Sequence, residues 1–160
     1  MTETQIDIDT LDGFEQLLAL FDGRLPGPPL ADTLGLDGFG GEPGAIHVEL
    51  TPEYRHYNPL GTVHGGVVAT LLDTAAACSV HSTLSPGERY TSVDLNVKFL
   101  RPVTVDSGRL RAEGSVLQRG RRTALAQAQL FDAQRRLVAH ATSTCMIFPA
   151  QPECASGRTR

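Results

Sequence analysis

The residues best suited to chemistry crowd into one stretch, Asn58 to Thr83, reading NPLGTVHGGVVATLLDTAAACSVHST. Gly65 and Gly66 follow a polar run, and a long segment without proline or further glycine begins there, so they stand where a helix starts. Backbone N–H groups at a helix start have no partner inside the helix and lie at the positive end of its dipole. Gly65 is therefore suited to donating to a developing oxyanion, and its missing side chain admits a close approach. A turn alone would account for the two glycines equally well. Asp73 falls in mid-helix, where Asp has low propensity and an unpaired buried carboxylate is costly. A carboxylate there can act as general base or nucleophile, or can cap a neighbouring loop or pair with an arginine.

The helix that carries Asp73 is apolar nearly all round. At 100° per residue, Val67, Val68, Leu71, Leu72, Ala75 and Ala76 share one broad arc, while Gly66, Thr70, Asp73 and Ala77 share the narrow opposite side. Upstream, Leu11, Phe14, Leu17, Leu18 and Phe21 predict a short helix ended by Gly23. Prolines rule out regular structure in Leu25 to Leu30, a short turn is expected over Leu30 to Leu36, and Gly35 to Gly44 reads as loop. Ile46, Val48 and Leu50 alternate with polar residues as a half-buried strand.

Downstream, Thr91 to Leu100 alternates most regularly, with Val93, Leu95, Val97 and Phe99 on one side and Ser92, Asp94, Asn96 and Lys98 on the other. Leu110 to Leu117, Thr123 to Phe131 and Leu137 to Ile147 complete four successive strands, expected as an antiparallel meander. An α+β domain follows, in which the sheet wraps its apolar face around the central helix.

With 160 residues and no break in composition, one domain is expected. A net charge of −4 without a basic run longer than two residues gives no electrostatic support to a nucleic-acid or anionic-membrane partner. No apolar stretch approaches the roughly 20 residues that span a bilayer, and Met1 to Asp12 is acidic where a signal peptide is basic and then apolar, which points to the cytoplasm. Cys78, Cys145 and Cys154 form no CxxC and are expected to be reduced bystanders. His47, His56, His81 and His140 lack HExxH or HxH spacing, so no metal is expected. The GxSxG and GxxxxGK[ST] patterns are missing as well, and catalysis without a cofactor fits best.

The HGG before the helix, Asp73 within it, SVDLNVKFLRP in the next strand and GRRTALAQAQLFD in the hairpin together resemble the hotdog-fold acyl-CoA thioesterases, most closely the phenylacetate-pathway (PaaI-type) branch. The likeness covers roughly residues 28–148, leaving 1–27 as a lead-in with a short helix and 149–160 as an expected disordered tail. It implies hydrolysis of an acyl-CoA or aryl-acyl-CoA. By resemblance Asp73 is the general base or nucleophile and Asn58 helps polarise the thioester carbonyl. His64 contacts the leaving sulfur or holds the turn, and Ser92 helps hold the attacking water. Asn58 before Pro59 reads equally as a turn residue, and Ser92 as plain exposure.

Coenzyme A phosphates need cations or free N–H groups, for which Arg121 and Arg122 beside Gly120, and Arg101 more weakly, are suited. Gly66 and Asp73 lie about 10 Å apart along one helix, too far for a small carbonyl to touch both, so two subunits are expected to share a site. The resemblance implies such a homodimer and, further, a homotetramer built as a dimer of dimers. The acyl pocket is expected from the central helix, the loop around Pro28 to Leu36 and a partner. A hotdog hydratase or dehydratase using His64 with Asp73, and a non-catalytic acyl-CoA binder, stand as alternatives.

Overall fold

The computed structural model describes residues 7–150. The expected lead-in as far as residue 6 and most of the expected tail, including Cys154, lie outside the described residues. Helix α1 (Gly13–Phe21) starts on a reciprocal cap: Asp12 Oδ1 accepts from the Glu15 N–H at 2.8 Å, and Glu15 Oε2 accepts from the Asp12 N–H at 2.9 Å. Gly23, at φ 76°, turns the chain out of it. The short turn expected near Leu30 is helix α2 (Pro29–Leu34), opened by a proline at its first position and closed by Gly35 at φ 70°.

The segment read as loop between Gly35 and Gly44 is in fact strand β1 (Leu36–Glu42), paired antiparallel with β2 (Ala45–Leu50). Gly38, Gly40 and Gly41 hide any alternation. A Cβ on Gly40 would sit 2.7 Å from the His47 ring, so glycine is what lets the two strands carry large side chains on one of them. Pairing with β2 overrides a poor local propensity.

Helix α3 (Gly65–His81) packs into a seven-stranded sheet of order β1-β2-β5-β6-β7-β3, with β4 also on β7. The remaining strands are β3 (Arg89–Ser92), β4 (Asn96–Phe99), β5 (Leu110–Arg119), β6 (Thr123–Phe131) and β7 (Leu137–Phe148). The sheet curls tightly because its inner face is lined by small residues: Ala112, Ala124, Ala126, Ala128, Ala139 and Ala141 are all buried against the helix. The closest approach is at Gly114 of β5, where a Cβ would run into the Ala75 carbonyl and Ser79 Oγ. Ser79 Oγ in turn donates to the Ala75 carbonyl (2.8 Å) and accepts from the Ile46 N–H (2.9 Å), tying helix to β2. Helix α1 docks on the end of α3 through the Gly13 N–H on the Leu84 carbonyl and Gln16 Oε1 on His81 Nε2, each 2.9 Å. No helix among the described residues is long and apolar enough to cross a membrane.

Two expectations are corrected. The Thr91 to Leu100 strand is broken into β3 and β4 at Val93 to Leu95, because Asp94 Oδ1 takes the Thr144 N–H (2.9 Å) that a strand carbonyl would otherwise take. The Ser143 hydroxyl donates to the Asp94 carbonyl at 2.8 Å and pins the break. Nor do four strands run as one meander: only β5, β6 and β7 do, while β3 and β4 lie beyond β7 as the sheet's edge. Val93 and Phe99, expected to face the core, are more than half exposed there.

Seating of α3 on Gly114 predicts that Gly114→Ala destabilises by about 2–3 kcal/mol through overpacking, lowering Tm by roughly 4–12 °C. A thermal melt within about 1 °C of wild type would show that the helix is not seated there.

Candidate active site

The side of α3 that the sheet leaves open carries Thr70, Asp73 and Thr74, all half-buried. Thr70 and Thr74 bind their hydroxyls back to the Gly66 and Thr70 carbonyls (2.8 and 2.7 Å), as buried helix threonines do. Asp73 has no such local outlet. Its Oδ1 accepts from the Ser92 hydroxyl of β3 at 3.2 Å. Ser92 Oγ also lies 3.9 Å from Cys145 Sγ on β7, the residue paired with Ser92 in register. Since the one Ser92 proton goes to Asp73, the Cys145 thiol is the donor at that second contact. Burial pushes the Cys145 thiol up, and it pushes the Cys78 thiol up to about 12, with the Asp73 charge adding to it. Both sulfurs are therefore protonated neighbours of the carboxylate and not nucleophiles.

The other predicted residues gather elsewhere. Asn58 and Gly65 line a cavity of about 350 Å³ with Phe99, Leu100, Arg101 and Val138. The Gly65 N–H has no acceptor among the described residues, as befits the first turn of a helix. Phe99 covers it, its ring edge 3.2 Å from where a Gly65 Cβ would be. Asn58 organises its own loop: Oδ1 accepts from the Leu60 and Thr62 N–H groups (2.9 and 3.3 Å), and Nδ2 donates to Thr62 Oγ1 (3.0 Å). One Nδ2 hydrogen is left over. His64 is the N-cap of α3, with Nδ1 accepting from the Gly66 N–H at 2.8 Å. With Nδ1 as acceptor, the ring N–H is on Nε2. His64 lies on the order of 13 Å up the helix from Asp73, so the two do not meet within one chain.

Within one chain, then, the predicted site falls into two halves. Ser92 pairs with Cys145 and Phe99 with Ala139, so the carboxylate and the Gly65 cavity sit toward opposite ends of the same edge, with Gly65 and Asp73 about 12 Å apart along α3. The cations divide likewise. Arg121 and Arg122 are exposed at the β5–β6 tip, which Gly120 closes through its N–H on the Thr123 carbonyl (2.8 Å). The Ile147 N–H donates to the Arg122 carbonyl and Thr123 pairs with Met146, one row beyond Cys145, so this tip belongs to the Asp73 end. Arg101 lies at the Gly65 end, with a guanidinium N–H on the Leu137 carbonyl at 2.8 Å. Cys145 and Phe99 were not legible as site residues, since only strand register brings them beside Ser92 and Gly65.

A tightly wrapped helix with one acid on its open side and a glycine turn at its start is the hotdog arrangement, and the comparisons agree. The Thioesterase superfamily pattern matches residues 60–139, and the chain belongs to that family. It is 34% identical over 98 residues to the medium/long-chain acyl-CoA thioesterase YigI of Escherichia coli (strain K12), covering 53% of this chain and 62% of that protein. It is 30% identical over 103 residues to acyl-coenzyme A thioesterase 13 of Homo sapiens, covering 64% of this chain and 72% of that one. A crystal structure of a phenylacetic acid degradation-related protein from Ralstonia eutropha JMP134 superposes with a TM-score of 0.73 at 32% identity, over 81% of this chain and 97% of the other. The chain thus spans under two thirds of the bacterial relative's length.

The cap geometry separates the two roles implied for His64. Asn is as good a cap as any, so His64→Asn should keep stability, whereas His64→Ala should lose about 1 kcal/mol in a denaturant titration. If His64 only holds the turn, His64→Asn also retains thiol release from acyl-CoA within a few fold of wild type. A loss of roughly a hundred-fold or more would instead assign the ring a direct part in the chemistry.

Proposed function

We propose that the protein hydrolyses acyl-CoA thioesters, aliphatic or aryl, to the free acid and coenzyme A, at sites shared between two protomers. The observation that carries this is the Asp73 carboxylate, half-buried on the open side of α3 and oriented by Ser92. Asp73 takes a proton from water that attacks the acyl carbon, or attacks it directly. The Gly65 N–H and the spare Asn58 Nδ2 hydrogen stabilise the oxyanion, and coenzyme A leaves as the thiolate. His64 holds the turn that aims the Gly65 N–H, and Arg121 and Arg122, with Arg101, receive the phosphates of coenzyme A.

The edge strand suggests how the halves meet. An isologous, antiparallel pairing of this edge with itself, centred between Leu95 and Asn96, sets residue 92 of one chain opposite residue 99 of the other. Asp73 and Ser92 then face the partner's Gly65 and Asn58, and the β5–β6 tip approaches the partner's Arg101. The exposed Val93, Phe99 and Leu100 along this edge support its being covered. A second exposed apolar group on the outer sheet face, Leu117, Leu125, Met146 and Phe148, supports a dimer of dimers. The protein works in the cytoplasm, where acyl-CoA is made and used.

Asp73→Ala is expected to abolish release of free thiol from phenylacetyl-CoA and from medium-chain acyl-CoA, read with a thiol-reactive dye, while the thermal melt stays near that of wild type. Losing the general base or nucleophile costs at least about a hundred-fold in kcat. Turnover at the wild-type rate by purified Asp73→Ala would remove Asp73 from the mechanism.

A further inference from the structure

A second cavity, of about 450 Å³, lies beside Asp73 and is built almost wholly from the N-terminal part of the chain. Leu17, Leu20 and Phe21 of α1, Ala31 of α2 and Phe39 of β1 line it, with Thr74 and Cys78 of α3 as its remaining wall. Only those last two fall inside the matched family region, residues 60–139. Phe21 and Phe39 are stacked at 5.0 Å between centroids, closing α1 onto β1.

No side chain in the wall offers an uncommitted polar group. The Thr74 hydroxyl is committed to the Thr70 carbonyl, which turns its methyl outward. The Asp37 carboxylate, at the margin, is held by Thr51 (2.6 Å) and by Arg109 (3.0 Å). Burial keeps the Cys78 thiol protonated, so it acts as a small apolar contact. Thr74, the residue after Asp73 on α3, belongs to the wall, so the cavity opens next to the carboxylate that the proposed reaction uses.

We propose that this cavity receives the acyl chain, that it is made for an unbranched aliphatic chain of medium length, and that residues 13–39 set that length. The inference rests on the thioesterase reading above. A cavity of about 150 Å³ already encloses a benzene ring, so a phenyl group would leave most of the roughly 450 Å³ unfilled and forfeit its contacts. By the same measure, about 25 Å³ per carbon, the space is ample for an aliphatic chain of about a dozen carbons.

The experiment compares wild type with Ala31→Trp and Leu20→Trp, which place bulk in the cavity from two half-buried positions on different helices. Thiol release is measured for butanoyl-, octanoyl-, dodecanoyl- and phenylacetyl-CoA, and binding of decanoate is measured by calorimetric titration. Wild-type kcat/KM should rise from butanoyl- to dodecanoyl-CoA and exceed that for phenylacetyl-CoA. In either folded variant the dodecanoyl-to-butanoyl ratio should fall at least roughly ten-fold, and decanoate affinity should fall likewise. A wild-type preference for phenylacetyl-CoA, a flat chain-length series, or an unchanged ratio in a folded variant would overturn the proposal. If wild type hydrolyses no acyl-CoA, the thioesterase reading fails by itself. Decanoate binding weakened by either substitution would then still support the cavity, and absent or unaltered binding would still overturn it.

Discussion

A carboxylate on an otherwise apolar helix has to face the one side that the surrounding sheet leaves open, and most of this structure follows from how that side is created. Alanines along β6 and β7 and Gly114 on β5 let the sheet curl within contact of α3, which buries Leu71, Leu72, Ala75, Ala76 and Val80 almost completely. What remains uncovered is a narrow strip bounded by the β3 edge on one side and by α1, α2 and β1 on the other. Asp73 stands in it. Ser92 on one border orients the carboxylate, and the cavity against α1 and β1 opens on the other.

The same geometry keeps the proposed oxyanion donor away from the proposed base. One helix carries both, Gly65 in its first turn and Asp73 two turns further on, and the edge strand keeps their surroundings at opposite ends. In the proposed mechanism a single chain therefore holds two incomplete half-sites. An edge that pairs with its own copy in antiparallel fashion completes both at once, because two-fold symmetry exchanges its ends. On this account the break at Asp94 also has a use: it bends the edge around the helix while leaving the two short strands free to pair outward.

Much of this was legible in the residues. The central helix, its glycine start, helix α1 and the three long strands follow from periodicity and punctuation, which are local signals. Asp73 stood out because an acid in such a helix needs a partner. The failures share one cause. β1 reads as loop because its glycines serve the side chains of β2 and not its own face, and the strand from Thr91 reads as continuous because its break is made by Thr144 on another strand. The partners of Ser92 and Gly65, namely Cys145 and Phe99, depend on register in the same way. Asn58 and His64 could be located but not interpreted, since turn-forming and chemical roles call for the same residue types, and here each has a hydrogen-bonding task in the loop as well.

The most direct test is complementation between two inactive chains. Asp73→Ala removes the carboxylate. Gly65→Pro removes the N–H and adds ring carbons against Phe99, disabling that half of the site at a first helical position preceded by His64 at ψ 135°, where the backbone tolerates proline. Each homodimer should be inactive. The purified heterodimer of the two should recover about half of wild-type thioester hydrolysis, because one of its two shared sites receives both an intact Asp73 and an intact Gly65. A heterodimer as inactive as its parents would mean that base and oxyanion donor act within one chain, and would contradict the account.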